Sequence, residues 1–97
     1  MKTGTTSTGF RYQFEERDLD DMRFLDVLVV VADENSSLLD KAVGAKKMLS
    51  MMLGDEQLAA LYAHIGERFD GRVPPAELEN ALEEIMNGAG EDAEKNS

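Results

Sequence analysis

Residues 55–69 read DEQLAALYAHIGERF and predict the clearest helix of the chain. Asp55 is a residue type that favours the position before a helix, where its carboxylate accepts a hydrogen bond from a free backbone N–H group. The apolar residues recur at i, i+3, i+4, i+7 and i+11, so they share one helical face: Leu58, Leu61, Tyr62, Ile65 and Phe69. A face of this kind must pack against other elements, which indicates a helical core.

Helices are predicted on both sides of this segment. Before it, a helix over residues 37–53 begins at Ser37, with Asp40 three residues on as in a helix cap, and ends at Gly54. After it, a helix over residues 74–88 begins with two prolines, whose missing N–H groups cost little in a first turn. The short connections favour antiparallel neighbours.

A fourth helix is predicted over residues 18–33, where the sequence supports two interpretations. Aspartates at its start suit the positive end of the helix dipole. Against a helix, residues 27–31 contain four valines, which favour a strand. The acidic start favours the helix, and so does the helical spacing of four apolar residues: Met22, Leu25, Leu28 and Ala32. The strand stays the alternative.

The predicted fold is all-α, a small four-helix domain over residues 10–89. Residues 1–9 are mostly Thr, Ser and Gly and predict a disordered arm. In residues 10–14 aromatic and polar side chains alternate, which predicts a short extended segment. Residues 90–97 are acidic and predict a disordered tail. The helical stripes predict a core of Leu25, Leu28, Leu39, Leu49, Leu58, Leu61, Ile65, Leu82 and Ile85.

Composition limits the classes of partner. The 97 residues include 10 basic and 20 acidic ones, a net charge of -10 that repels nucleic acid and anionic lipid. No apolar run approaches the roughly 20 residues of a membrane span, and no apolar stretch follows Lys2 as in a secretory signal. Without cysteine there is no disulfide or thiolate. The sequence is compatible with a reducing cytoplasm, and it predicts a protein that binds neither nucleic acid nor membrane.

The sequence has no residue arrangement typical of catalysis. His64 is the only histidine, with no nucleophile beside it and no second histidine for a metal. The acidic pairs Asp20/Asp21 and Glu83/Glu84 are adjacent, and adjacent residues on a helix point about 100° apart, so neither pair forms a carboxylate dyad. The sequence therefore predicts a protein that is not an enzyme and holds no cofactor and no metal.

Methionine is concentrated near the end of the predicted 37–53 helix. Its flexible, polarisable side chain fills irregular cores and also lines adaptable binding surfaces. Core packing is the simpler interpretation. The sharper hypothesis places six residues at a surface for a client protein or for self-association: Phe10, Tyr12, Phe14, Met48, Met51 and Met52.

The order of several short motifs points to a family. FRYQFE at residues 10–15 leads into LDDMRFLD at 19–26, then LGDEQ at 53–57, DGRVP at 70–74 and Lys95-Asn96-Ser97. Over residues 10–97 this order resembles the short tail assembly chaperones of siphophages and prophages of Gram-positive bacteria. The chain departs from the family pattern at Met22, where a bulkier aromatic is common, and at the valine run, where the helix is usually more polar.

The resemblance implies a function in phage morphogenesis. Such chaperones hold the long, hydrophobic tape measure protein in the host bacterial cytoplasm before the tail tube polymerises, and they are absent from the mature virion. Tape measure protein is therefore the expected partner, with tail tube protein as a second one and a homo-oligomer left open. The rival interpretation, from the acidity alone, is a small regulatory or antitoxin-like module that binds one globular target.

The resemblance also implies a second, longer product made by ribosomal frameshifting. Glu94, Lys95 and Asn96 can be encoded as GAA AAA AAC. That string contains A AAA AAC, on which both ribosome-bound tRNAs can slip back one base and still pair. A solvated tail is the alternative explanation of these residues.

Overall fold

The computed structural model describes the backbone of residues 1–95 and the side chains of residues 1–87. Two strands come first, β1 at Lys2–Thr5 and β2 at Arg11–Phe14, followed by a short 3-10 helix at Glu16–Leu19. Three helices follow: α1 at Met22–Ala32, α2 at Leu38–Arg68 and α3 at Pro75–Lys95. The prediction of an all-α four-helix domain is therefore wrong. The described chain has three helices and a two-stranded antiparallel sheet.

A single residue explains the difference in the number of helices. Gly54 alone leaves helical geometry inside α2, with φ 80° and ψ 169°. This combination is essentially restricted to glycine. The sequence predicted a helix end at Gly54, but no loop follows, and α2 continues after a kink. The side chain of Gln57 supports the kink, because its Nε2 donates to the Leu53 carbonyl at 2.9 Å.

The N-terminal residues form a hairpin in place of the predicted disordered arm. β1 pairs antiparallel with β2, in a register that sets Lys2 opposite Phe14. The hairpin is held to the helices because alternate side chains of β2, Tyr12 and Phe14, are buried. On β1, Gly4 lies directly under the Tyr12 ring, which leaves no room for a side chain there.

Polar contacts attach this hairpin to α2 and α3. The Gln57 side chain pairs with the backbone of Gln13: its Oε1 accepts from the Gln13 N–H at 2.9 Å, and its Nε2 donates to the Gln13 carbonyl at 2.8 Å. At the hairpin loop, Ser7 donates its backbone N–H to Glu84 at 2.9 Å. These bonds satisfy backbone groups on the open edge of β2 and in the loop.

The core lies between the hairpin and the three helices. Six of the predicted core residues are buried, and for them the prediction is confirmed: Leu49, Leu58, Leu61, Ile65, Leu82 and Ile85. Leu28 is only partly buried, and the prediction is wrong for Leu25 and Leu39, which are exposed. Phe24 is instead the residue of α1 that is almost completely buried.

The two ends of the helical region also differ from the prediction. Residues 27–31 lie in α1, so the helical interpretation of the valine run is confirmed. α3 continues to Lys95, past the predicted end at residue 88, so the tail is helical over residues 90–95. Glycine in a helix interior costs only about 1 kcal/mol relative to alanine, so Gly88 and Gly90 do not end a helix by themselves. Asn96 and Ser97 lie outside the described residues.

Candidate functional site

The six residues predicted to form a binding surface lie mostly in the core. Phe10, Tyr12 and Phe14 are buried, and so are Met48 and Met52. The two methionines are four residues apart and share the inner face of α2 with Ala45 and Leu49. Only Met51 is partly exposed, in a cleft that it lines with Val27 and Lys47. These residues therefore do not make a continuous apolar surface.

Exposed apolar surface lies elsewhere, on α1 and the start of α2. Eight large hydrophobic residues are exposed among the described side chains, and all except Met1 lie between Met22 and Val43. The most exposed of these seven are Leu38 (78%), Leu39 (73%), Val29 (68%) and Met22 (66%). Single exposed apolar residues are ordinary, but a concentration of seven between residues 22 and 43 indicates apolar surface that is available for binding.

α1 carries this surface because it has two apolar faces. Phe24 is buried, and Val27, Leu28 and Val31 pack partly buried against the core at i+3, i+4 and i+7. On the outer side a second stripe repeats at i, i+3, i+7 and i+10. We call it the α1 stripe: Met22, Leu25, Val29 and Ala32, all exposed.

The inner face of α1 fits closely against α2. A Cβ atom on Gly44 would lie 2.6 Å from a methyl group of Val31 and 3.4 Å from one of Val27, so the absent side chain lets the two helices approach. This contact fixes the rotation of α1 about its own axis. Since the inner face is fixed against α2, the α1 stripe must face solvent.

A second apolar area lies at the start of α2 and is separate from the α1 stripe. Leu38 and Leu39 project at its first turn, where they are mostly exposed. Val43 lies one turn further on and borders an open groove of about 200 Å³ between α2 and α3. The groove is lined mainly by apolar residues: Ala42, Val43, Tyr62, Val73, Pro75 and Leu78, with Lys46 at its edge.

Acidic residues surround the α1 stripe. Between residues 18 and 40 the chain has seven acidic residues and one basic residue, Arg23. Arg23 is paired with Asp21 at 2.8 Å, and the hydrogen bond from its side chain holds the pKa of the Asp21 carboxyl below the usual value of 3.8. The other acids near the stripe include Asp20 before α1 and Asp33 and Glu34 after it, all exposed.

His64, the only histidine and the residue considered as a catalytic or metal-binding candidate, makes structural contacts. His64 is half-buried, and its Nε2 lies 3.0 Å from the Thr8 hydroxyl and 3.1 Å from the Thr8 carbonyl, while its ring packs against Phe10 at 5.7 Å. It therefore anchors the hairpin loop to α2.

No group of three or more potential metal ligands occurs among the described residues. Within the same part of the chain, no helix has the length and apolar content required to span a membrane.

The residues predicted to mark the frameshift region lie at the end of α3. Glu94 and Lys95 belong to its last turn, and Asn96 is outside the described residues. Their significance depends on the codons and not on the fold.

Sequence reasoning missed the α1 stripe, although a signal for it was present. Only two of the eleven residues of α1 are charged, Arg23 and Asp26. A helix that is apolar on nearly all sides is usually covered on all sides.

Comparisons with protein-family models, curated proteins and solved structures found no match to this chain.

Proposed function

We propose that this chain is a tail assembly chaperone of the siphophage type, which holds apolar segments of the tape measure protein in the host cytoplasm during tail assembly. The observation that carries the proposal is the concentration of exposed apolar side chains between Met22 and Val43 in a chain with a net charge of -10. The resemblance of its motifs to this chaperone family supports the same assignment.

The two properties suit a protein that holds an aggregation-prone client. The apolar area provides non-directional attraction to apolar client segments of varied sequence. The negative charge makes complexes repel one another and keeps them dispersed. A chaperone that coats a long client with many copies needs both, because each bound copy hides client surface and adds charge.

The size of the exposed area favours weak, reversible binding. Burying an aliphatic side chain completely contributes about 1.5–3 kcal/mol. The seven residues are already partly covered, and association costs on the order of 4–15 kcal/mol in lost freedom and ordering. The net free energy of binding that is left after these costs is small. It corresponds to a loosely held client, which can be released when the tail tube replaces the chaperone.

Aggregation of the tape measure protein tests the proposal. A siphophage tape measure protein is diluted from denaturant with and without this chain, and light scattering is recorded. We expect the wild type to suppress scattering and a Val29→Ser/Leu39→Ser variant to suppress it less. Ala63→Ser, at an exposed position on the second half of α2, is the matched control. Equal protection by the folded double variant would argue against this surface.

A longer product is part of the proposal. Translation that slips back one base at the codons of Glu94 to Asn96 would continue the chain from the end of α3. Reading the DNA tests this: if these codons lack the A AAA AAC run, or the shifted frame stops at once, the two-product idea fails while the holding function can stand.

The acidic surroundings of the α1 stripe also favour a second candidate function, that of an antitoxin-like module with one basic globular partner. Genome context separates the two candidates. A tape measure gene just downstream favours the chaperone, whereas a gene for a small basic protein beside this one favours the module. A tight complex of fixed stoichiometry with that basic protein would support the second candidate.

A further inference from the structure

The α1 stripe has the pattern of a helix-pairing surface. Met22, Leu25, Val29 and Ala32 alternate steps of three and four residues, the spacing by which one helix packs along another. The stripe runs the whole length of α1, about 16 Å for eleven residues. An occupant that is itself helical would place its own apolar side chains between these residues.

Negative charge lies at both ends of this stripe. Asp20 and Asp21 precede α1, while Asp33 and Glu34 follow it. Asp20, Asp33 and Glu34 are exposed, and neither Asp33 nor Glu34 forms an ion pair among the described contacts. The apolar stripe is therefore bounded by carboxylates, and a complementary occupant has cations at corresponding positions.

These charges argue against a second copy of the chain as the occupant. Two copies paired through α1 would bring acidic ends together in either orientation, because both ends of the helix are acidic. Each copy also has a net charge of -10. A contact along about 16 Å of helix falls short of the roughly 800 Å² per partner that a stable interface buries.

We propose that the α1 stripe binds an amphipathic helix whose apolar stripe is flanked by lysine or arginine at both ends. This inference rests on the proposed function, since such helices would be the segments of the tape measure protein that the chaperone holds. Apolar contact supplies the attraction, and the acidic ends select basic over acidic segments by complementary charge.

Two synthetic peptides test the selectivity. Both are helical and carry the same leucine stripe, one with lysines at both ends and one with glutamates. Fluorescence anisotropy with the full chain should show about tenfold tighter binding of the lysine peptide at low salt, since several exposed ion pairs of modest strength add up. High salt should reduce the difference. Equal affinity for the two peptides would overturn the proposal.

Variants of the chain locate the site. Met22→Ser and Val29→Ser, made separately, should each weaken binding of the lysine peptide several-fold, while Ala63→Ser should leave it unchanged. Asp33→Lys/Glu34→Lys should reduce the preference for the lysine peptide with little loss of helical content by circular dichroism. If both serine variants bind as tightly as the wild type, the peptide binds elsewhere and the assignment is wrong.

Analytical ultracentrifugation shows whether a client or a second copy of the chain covers the α1 stripe. We expect a monomer at micromolar concentration. A dimer that Val29→Ser dissociates would mean that a second copy covers the stripe, which would overturn the proposal. The inference and the proposed function fail separately. If the chain protects the tape measure protein but does not prefer the lysine peptide, only the inference is refuted. If the chain prefers the lysine peptide but does not protect the tape measure protein, only the proposed function is refuted.

Discussion

α1 and α3 each place an apolar face in the same core, but their outer faces are opposite in character. α3 buries Leu78, Leu82 and Ile85 and turns polar residues such as Asn80 and Glu83 to solvent. α1 buries Phe24 and turns the α1 stripe to solvent. One apolar face is enough to hold a helix in a domain. The second face of α1 is largely exposed and is available for binding.

The largest expected effect tests whether the inner faces of the two helices are equivalent. Phe24 in α1 and Ile85 in α3 are both almost completely buried. Phe24→Ala should lower the free energy of unfolding by about 3–5 kcal/mol and Ile85→Ala by about 2–5 kcal/mol, as expected for core truncations that leave a cavity. Urea unfolding measures both. A loss below about 1 kcal/mol for Phe24→Ala would mean that α1 is only loosely attached.

The next effect tests how closely α1 lies against α2. Alanine at position 44 would place its Cβ 2.6 Å from a methyl group of Val31, which is branched and cannot move far. Overpacking costs about 1–3 kcal/mol, whereas replacing glycine by alanine in a helix gains about 0.8–1.0 kcal/mol. We expect Gly44→Ala to destabilise the fold by up to about 2 kcal/mol, because the overpacking is the larger effect.

A double-mutant cycle gives this prediction its control. In a Val31→Ala background the methyl group is gone, so Gly44→Ala should become neutral or stabilising. Additive effects of the two substitutions would show that the close approach of α1 to α2 does not exist.

The comparison of α1 with α3 also shows what the sequence could predict. α3 has one apolar stripe, so Leu82 and Ile85 could be assigned to the core from spacing alone. α1 has two stripes of helical spacing. The prediction used Leu25 from the wrong one, and only the fit of Val31 against Gly44 selects the other. Periodicity alone cannot choose between two apolar faces, and so the candidate site could not be located.

The hairpin was missed for a different reason. The alternation in residues 10–14 predicted an extended segment, but its partner strand reads KTGT and contains no large apolar residue. β1 is held by contacts outside its own sequence: the Tyr12 ring lies over Gly4, and the loop after β1 is bonded through Ser7 to Glu84, which is 77 residues away. Local patterns carry no information about such contacts.

A smaller effect on stability separates the outer face of α1 from its inner face. Val29→Ser removes an exposed side chain and leaves no cavity, so the free energy of unfolding should change by no more than about 0.5 kcal/mol. Client binding should nevertheless fall, whereas Glu83→Gln, on the outer face of α3, should leave client binding unchanged. Thermal unfolding and the aggregation assay, run on the same samples, check this. A marked loss of stability would mean that Val29 belongs to the core.

The smallest expected effect concerns the first turn of α1, at one end of the stripe. Asp21 caps the helix, with its Oδ1 accepting from the Arg23 N–H at 2.8 Å, and its carboxylate also pairs with the Arg23 guanidinium. The pair lowers the pKa of Asp21 below 3.8. A pKa that is lower in the folded state means that the ionised carboxylate stabilises the fold. This contribution is complete above the unfolded pKa and is lost as pH falls through the folded pKa.

Asp21→Asn isolates that contribution, since asparagine is also a good capping residue but has no charge to pair with Arg23. We expect the wild type to be slightly more stable than the variant above about pH 5, with a difference that disappears as pH falls below the pKa of Asp21. Because the pair is exposed, added salt should also reduce the difference. Urea unfolding of both proteins over a pH series measures it. A difference that does not change between neutral and acidic pH would show that the cap, and not the charge, is what Asp21 contributes to α1.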